Sequence, residues 1–142
     1  MGQQQLLLVI LVTIIVGIAT VVAINTFSSA ADSATLDSVR QDLTSISASA
    51  QGYYLKPVQL GGGGRTFTGI TYDNITFSGD AEAGALTASN EYGTYLISDR
   101  AAGEFVVTAT AAVADSTTIQ VRVCPDTQVM GAPGGNAGAC PS

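Results

Sequence analysis

Cys124 and Cys140 are the side chains best suited to covalent chemistry in this chain of 142 residues. Two thiols can close a disulfide, stay free, or help hold a metal. The metal reading has two thiolates and no His to complete a site. Between the cysteines runs PDTQVMGAPGGNAGA, an aperiodic stretch with two Pro and four Gly that needs tying down. A disulfide across it is worth about 3 kcal/mol in the chain-entropy model. An even cysteine count beside an apolar, export-type segment favours that disulfide and an oxidising compartment over two free thiols.

Other chemistry is harder to build. The absence of His removes the commonest general base and metal ligand. No nucleophile paired with a base can be picked out, so the chain does not read as an enzyme and no cofactor is expected. The run Gly61, Gly62, Gly63, Gly64 lacks the G-x-x-x-x-G-K-[ST] frame of a phosphate loop and no apolar helix follows it, so it reads as a tight turn from helix to sheet. Asn74-Ile75-Thr76 fits the N-x-[ST] glycan acceptor, a short pattern frequent by chance.

The elements that must position these residues begin with MGQQQLLLVILVTIIVGIATVVAINTF. Residues 6–24 carry no charge, and the first charged residue is Asp32. At about 1.5 Å per residue such a helix reaches across a roughly 30 Å hydrocarbon core. A neutral start fits poorly with a cleaved secretory signal, and an ordinary anchor usually shows flanking Lys or Arg. The pattern then turns amphipathic. Leu36, Val39, Leu43, Ile46 and Tyr53 share one stripe, while Asp32, Asp37, Arg40 and Asp42 lie off it. No Pro precedes Pro57, so one helix of roughly 50 residues is expected. Residues 28–54 should pack on their own domain. Residues 3–27 have no partner in the chain and must sit in lipid or against other subunits.

Residues 55–142 read as a β-sheet head with a cysteine-closed tail. Strands are expected in TFTGITYDNITF, YGTYLISD, GEFVVTATAAV and STTIQVRV, with a hairpin turn at Ala114-Asp115. Ile119, Val121 and Val123 alternate with Gln120 and Arg122, the pattern of an antiparallel sheet with one dry and one wet face. The helix stripe is the expected cover of the dry face, giving an α+β fold. Charged residues are only 11% of the chain and the net charge is −6, so no basic stripe invites nucleic acid. The low-charge, small-residue composition suits a surface that packs against copies of itself, and nearly as well a secreted domain tolerant of small polar residues.

Taken together, the charge-free helix, its amphipathic continuation DSVRQDLTSISASAQGYYLKP, the sheet and the cysteine-closed tail resemble the type IV pilins and pilin-like filament subunits, bacterial branch. GQQQLLLVIL and YYLKPVQLGGGGRTF are similar to that branch. In this family a prepilin peptidase cuts after a Gly. The resemblance therefore makes residues 1–2 a short leader or leader remnant, cut after Gly2, with Gln3 the methylated mature N-terminus. It implies polymerisation through Leu6, Leu7, Leu8, Ile10, Leu11, Ile14, Ile15, Ile18, Val21 and Val22. It also implies residence in the inner membrane before assembly, help from the pilus assembly machinery, and a homo-oligomeric filament at the cell surface. Three features depart from the family. The leader is short and carries no basic residue. Leu7 stands where most members have Glu, although Gln3, Gln4 and Gln5 can bond to a neighbour's backbone without a buried charge. The helix lacks the family's frequent Pro, leaving Gly17 as its weak point.

Three functions follow. The first is the major structural subunit of an extracellular pilus serving adhesion, motility or surface interaction. The second is a minor pilin or pseudopilin of a type II secretion system. The closed tail and the lack of a calcium-type acidic cluster favour the first over the second. The third is a single-pass anchored binding domain that never polymerises.

Overall fold

A computed structural model describes residues 2–142. Met1, the first residue of the expected leader, lies outside them. The element order is α1 (Gly2–Leu55), a 3-10 turn (Val58–Leu60), then β1 (Asp80–Ala81), β2 (Thr87–Asn90), β3 (Gly93–Ser98), β4 (Phe105–Ala111), β5 (Thr118–Val123) and β6 (Gln128–Met130). The six strands form one antiparallel meander in sequence order. This is the expected α+β fold. The described residues divide into two compact units, one ending at Ala34 and the other running from Thr35 to Ser142.

In the second unit, α1 covers the dry face of the sheet. Val39, Leu43, Ile46 and Ala50 are fully buried, with Leu36 and Tyr53 packed at the margins. Their spacing returns the same helix face every turn, so one stripe meets Tyr95, Ile97, Val107, Ala109, Ile119, Val121 and Val123. The helix stops at Leu55, two residues before Pro57. Gly61, at φ 79°, closes the 3-10 turn in the left-handed region. At Gly63 a Cβ would run into the Thr66 carbonyl oxygen, so only glycine fits there.

Three expectations need correction. Residues 66–77 form a loop of turns, where the sequence read as strand. Phe67, Ile70, Tyr72 and Ile75 are buried at spacings of three, two and three, which no strand can present to one side. Asn74 Oδ1 takes both the backbone N–H (3.3 Å) and the hydroxyl (2.9 Å) of Thr71, closing a turn locally. The helix is therefore not the sole cover of the dry face, because these loop residues complete it. The opposite face is also not fully wet. Val106, opposite Arg122 in the ladder, is buried. Arg122 reaches Glu104 (2.9 Å) and donates Nε–H to the Gly138 carbonyl (2.8 Å). Gln120 accepts from Ala137 N–H through its side chain (3.4 Å) and from Gly131 N–H through its backbone (2.7 Å). The C-terminal tail thus lies against that face and along β5.

Candidate functional site

Residues 6–24 form the surface that demands explanation. All ten side chains expected to drive polymerisation are exposed, from 48% at Ile10 to 66% at Leu7. At about 100° per residue these ten span a little over half of the helix circumference, and Val9, Val12, Val16, Ala19 and Ala23 fill the other side, so the segment is apolar all round. The helix runs unbroken through Gly17. It is long and apolar enough to cross a membrane, and none of its most apolar window is buried.

The polar groups of this segment are hidden inside the helix itself. The hydroxyls of Thr13 and Thr20 donate to the carbonyls of Val9 and Val16 at 2.7 and 2.8 Å, and just beyond the segment Thr26 does the same to Val22 at 2.9 Å. Each bond spans four residues and satisfies a donor that would be costly in a dry medium. Backbone bonds are likewise closed within the helix. The surface can therefore enter lipid or a packed helical core without stranding a polar group. Threonine four residues after a valine in an apolar helix is the sequence signal for this arrangement, one that hydropathy alone does not show.

Gly2 and Gln3, the expected processing pair, begin the first turn of α1, with Gln4 and Gln5 exposed beside them. Cys124 and Cys140 form the expected disulfide, with Cα atoms 6.0 Å apart. It anchors the tail where β5 ends. Gln51 Nε2 binds the same corner, donating to the carbonyls of Cys124 (3.2 Å) and Thr127 (3.1 Å). Asn74 and Thr76 are exposed, and Thr76 N–H donates to Ser49 Oγ on α1 (2.7 Å). Among the described residues no cluster of three His, Cys, Asp or Glu side chains could hold a metal ion.

A second arrangement was invisible in the periodicity. Asp42 Oδ2 accepts hydrogen bonds from the Tyr95 hydroxyl (2.6 Å) and from Asn90 Nδ2 (2.7 Å). The Tyr72 hydroxyl donates to the Tyr95 carbonyl (3.1 Å). Burial, then the bond to Asp42 and its charge, pushes the Tyr95 hydroxyl well above the ordinary tyrosine range; burial does the same to Tyr72. The network fixes the helix on the sheet. It offers no nucleophile and no open substrate position.

No family model, no curated protein and no solved structure matches this chain. The functional reading therefore rests on the residues and their arrangement.

Proposed function

We propose that this protein is a structural subunit that polymerises through its apolar N-terminal helix into an extracellular, type IV pilus-like filament. One observation carries the reading. Residues 6–24 are apolar on every side, charge-free and internally hydrogen-bonded, yet nothing covers them. Such a segment can rest in a membrane as a single span. It can also bundle with identical segments, where burial contributes about 25 cal/mol per Å² before the costs of association. A contact between different patches of identical subunits whose rotation does not close generates a helical filament rather than a ring. In this scheme a prepilin peptidase cuts after Gly2, Gln3 becomes the methylated N-terminus, and the assembly machinery draws the chain from the inner membrane. The cysteine-closed tail suits a head facing an oxidising exterior.

A non-polymerising membrane anchor draws on the same apolar helix. The two readings part on the assembled material. Electron microscopy of filaments sheared from cells, with mass spectrometry of their protein, should find this chain as the main component, beginning at Gln3. Its recovery only in membranes, with Met1 intact, would support the anchor.

A further inference from the structure

Within residues 35–142 four large apolar side chains are exposed, and three fall close together: Leu55 (69%), Val58 (70%) and Leu60 (65%). They form a fixed ridge. Gly62 N–H donates to the Pro57 carbonyl (3.2 Å) and Gly64 N–H to the Lys56 carbonyl (3.0 Å), which folds the glycine run back beneath it. Lys56 and Arg65 flank the ridge, and residues 43–72 contain no acid. Among the described residues the ion pairs are Arg40–Asp37 and Arg122–Glu104, so neither flanking cation is neutralised. Asp99, Arg100, Glu104 and Asp126 also lie toward this end, but they belong to the turns of the sheet layer.

The other end of the same unit has the opposite character. Asp37 and Asp42 lie about 27 Å and about 20 Å back along α1, at roughly 1.5 Å per residue from Leu55. The bonds from Asn90 and Tyr95 to Asp42 bring the β2–β3 turn, with Glu91, to that end. Ala112 N–H donates to the Tyr92 carbonyl (2.7 Å), which sets the β4–β5 turn, with Asp115, beside it. Half-buried Tyr92 and Val113 lie in these two turns and offer apolar surface between the acids. Arg40 is the one cation there, and Asp37 already engages it.

We propose that the ridge of Leu55, Val58 and Leu60 docks onto the Glu91 and Asp115 turns of a second copy of this chain. The inference rests on the filament reading and adds a head-to-head-unit contact to the helical core. The apolar residues meet Tyr92 and Val113, while Lys56 and Arg65 face Glu91 and Asp115 at the rim, where charge sets orientation and excludes wrong registers. Pairing of the ridge with itself would set Lys56 and Arg65 against their own equivalents, so the contact is heterologous, the kind that a helical filament repeats from subunit to subunit.

Charge exchange in the full-length chain tests it. One variant carries Lys56→Glu and Arg65→Glu, a second carries Glu91→Lys and Asp115→Lys, and a third carries all four. Sheared filament yield is measured by microscopy and by pelletable chain, with the Cys124–Cys140 disulfide on non-reducing gels as the check of folding. Each pair of changes should lower filament yield at least about tenfold with the disulfide intact, and the fourfold exchange should restore most of it. Leu60→Ser, which alters no charge, should lower the yield as well. Wild-type yield from either pair or from Leu60→Ser, or no restoration by the exchange, overturns the contact while leaving the filament reading in place. Absence of filaments from the unaltered chain overturns both.

Discussion

At Asp42 a carboxylate off the apolar stripe holds helix and sheet together by accepting from Tyr95 and Asn90. Periodicity assigns a residue to a face of its own helix. It does not report a partner some fifty positions away, so this contact was unreadable while the stripe beside it was plain. Its consequence is a pH dependence. Tyr72 and Tyr95 hold their protons more tightly folded than unfolded. Below the ordinary tyrosine value of about 10 both states are protonated and the contribution is complete; above it the unfolded chain ionises first, and stability falls as pH rises. Denaturant midpoints should therefore hold steady from neutral pH to about pH 9 and drop beyond about pH 10, in step with late-ionising tyrosine absorbance near 295 nm. Tyrosines that all ionise before any loss of structure would contradict this. The cysteine pair was legible, because an even count bounding a stretch without sequence periodicity has few other uses. Cys140→Ser should cost about 3 kcal/mol in chemical denaturation and expose the tail to proteolysis, whereas an unchanged midpoint would mean that Arg122 and Gln120 hold the tail unaided.

Elements were read well where one residue pattern had one outcome. The stripe from Leu36 to Tyr53, the stop before Pro57 and the alternation along β5 each followed from spacing. Residues 66–77 failed because Phe67, Ile70 and Ile75 look like strand residues while the turn chemistry of Gly69, Asp73 and Asn74 prevails. The short strands β1, β2 and β6 failed because DA, TASN and QVM have little β-pattern, and the neighbouring strand recruits them. Two substitutions probe this scale. Leu43→Ala removes a fully buried contact between helix and sheet and should destabilise the head by about 2–5 kcal/mol in denaturant titrations. Gly63→Ala forces a methyl against the Thr66 carbonyl and should cost about 1–3 kcal/mol, and a neutral result would show that the turn can shift.

For the whole molecule, the division of labour within α1 organises everything else. Residues from Leu36 onward bury their apolar stripe in the chain's own core, while residues 6–24 bury nothing. The hydroxyls of Thr13 and Thr20, closed inside the helix, make that second stretch suitable for a place without water. Its apolar length and lack of charge were legible in the sequence; what covers it was not, since lipid and a bundle of copies ask for the same residues. Ile14→Asp separates the two. Against acyl chains the charge costs roughly 2.5–3.5 kcal/mol, which the remaining apolar residues can partly offset. In a filament core every subunit would carry the same unpaired charge, and no water would reach it. The decisive measurement is electron microscopy of surface filaments from cells expressing Ile14→Asp, beside the wild type and with the disulfide-bonded chain quantified. Filament loss with the chain still made and oxidised is the result the account predicts. Wild-type filament numbers from that variant would show that residues 6–24 are not a closely packed core, and the account would fail.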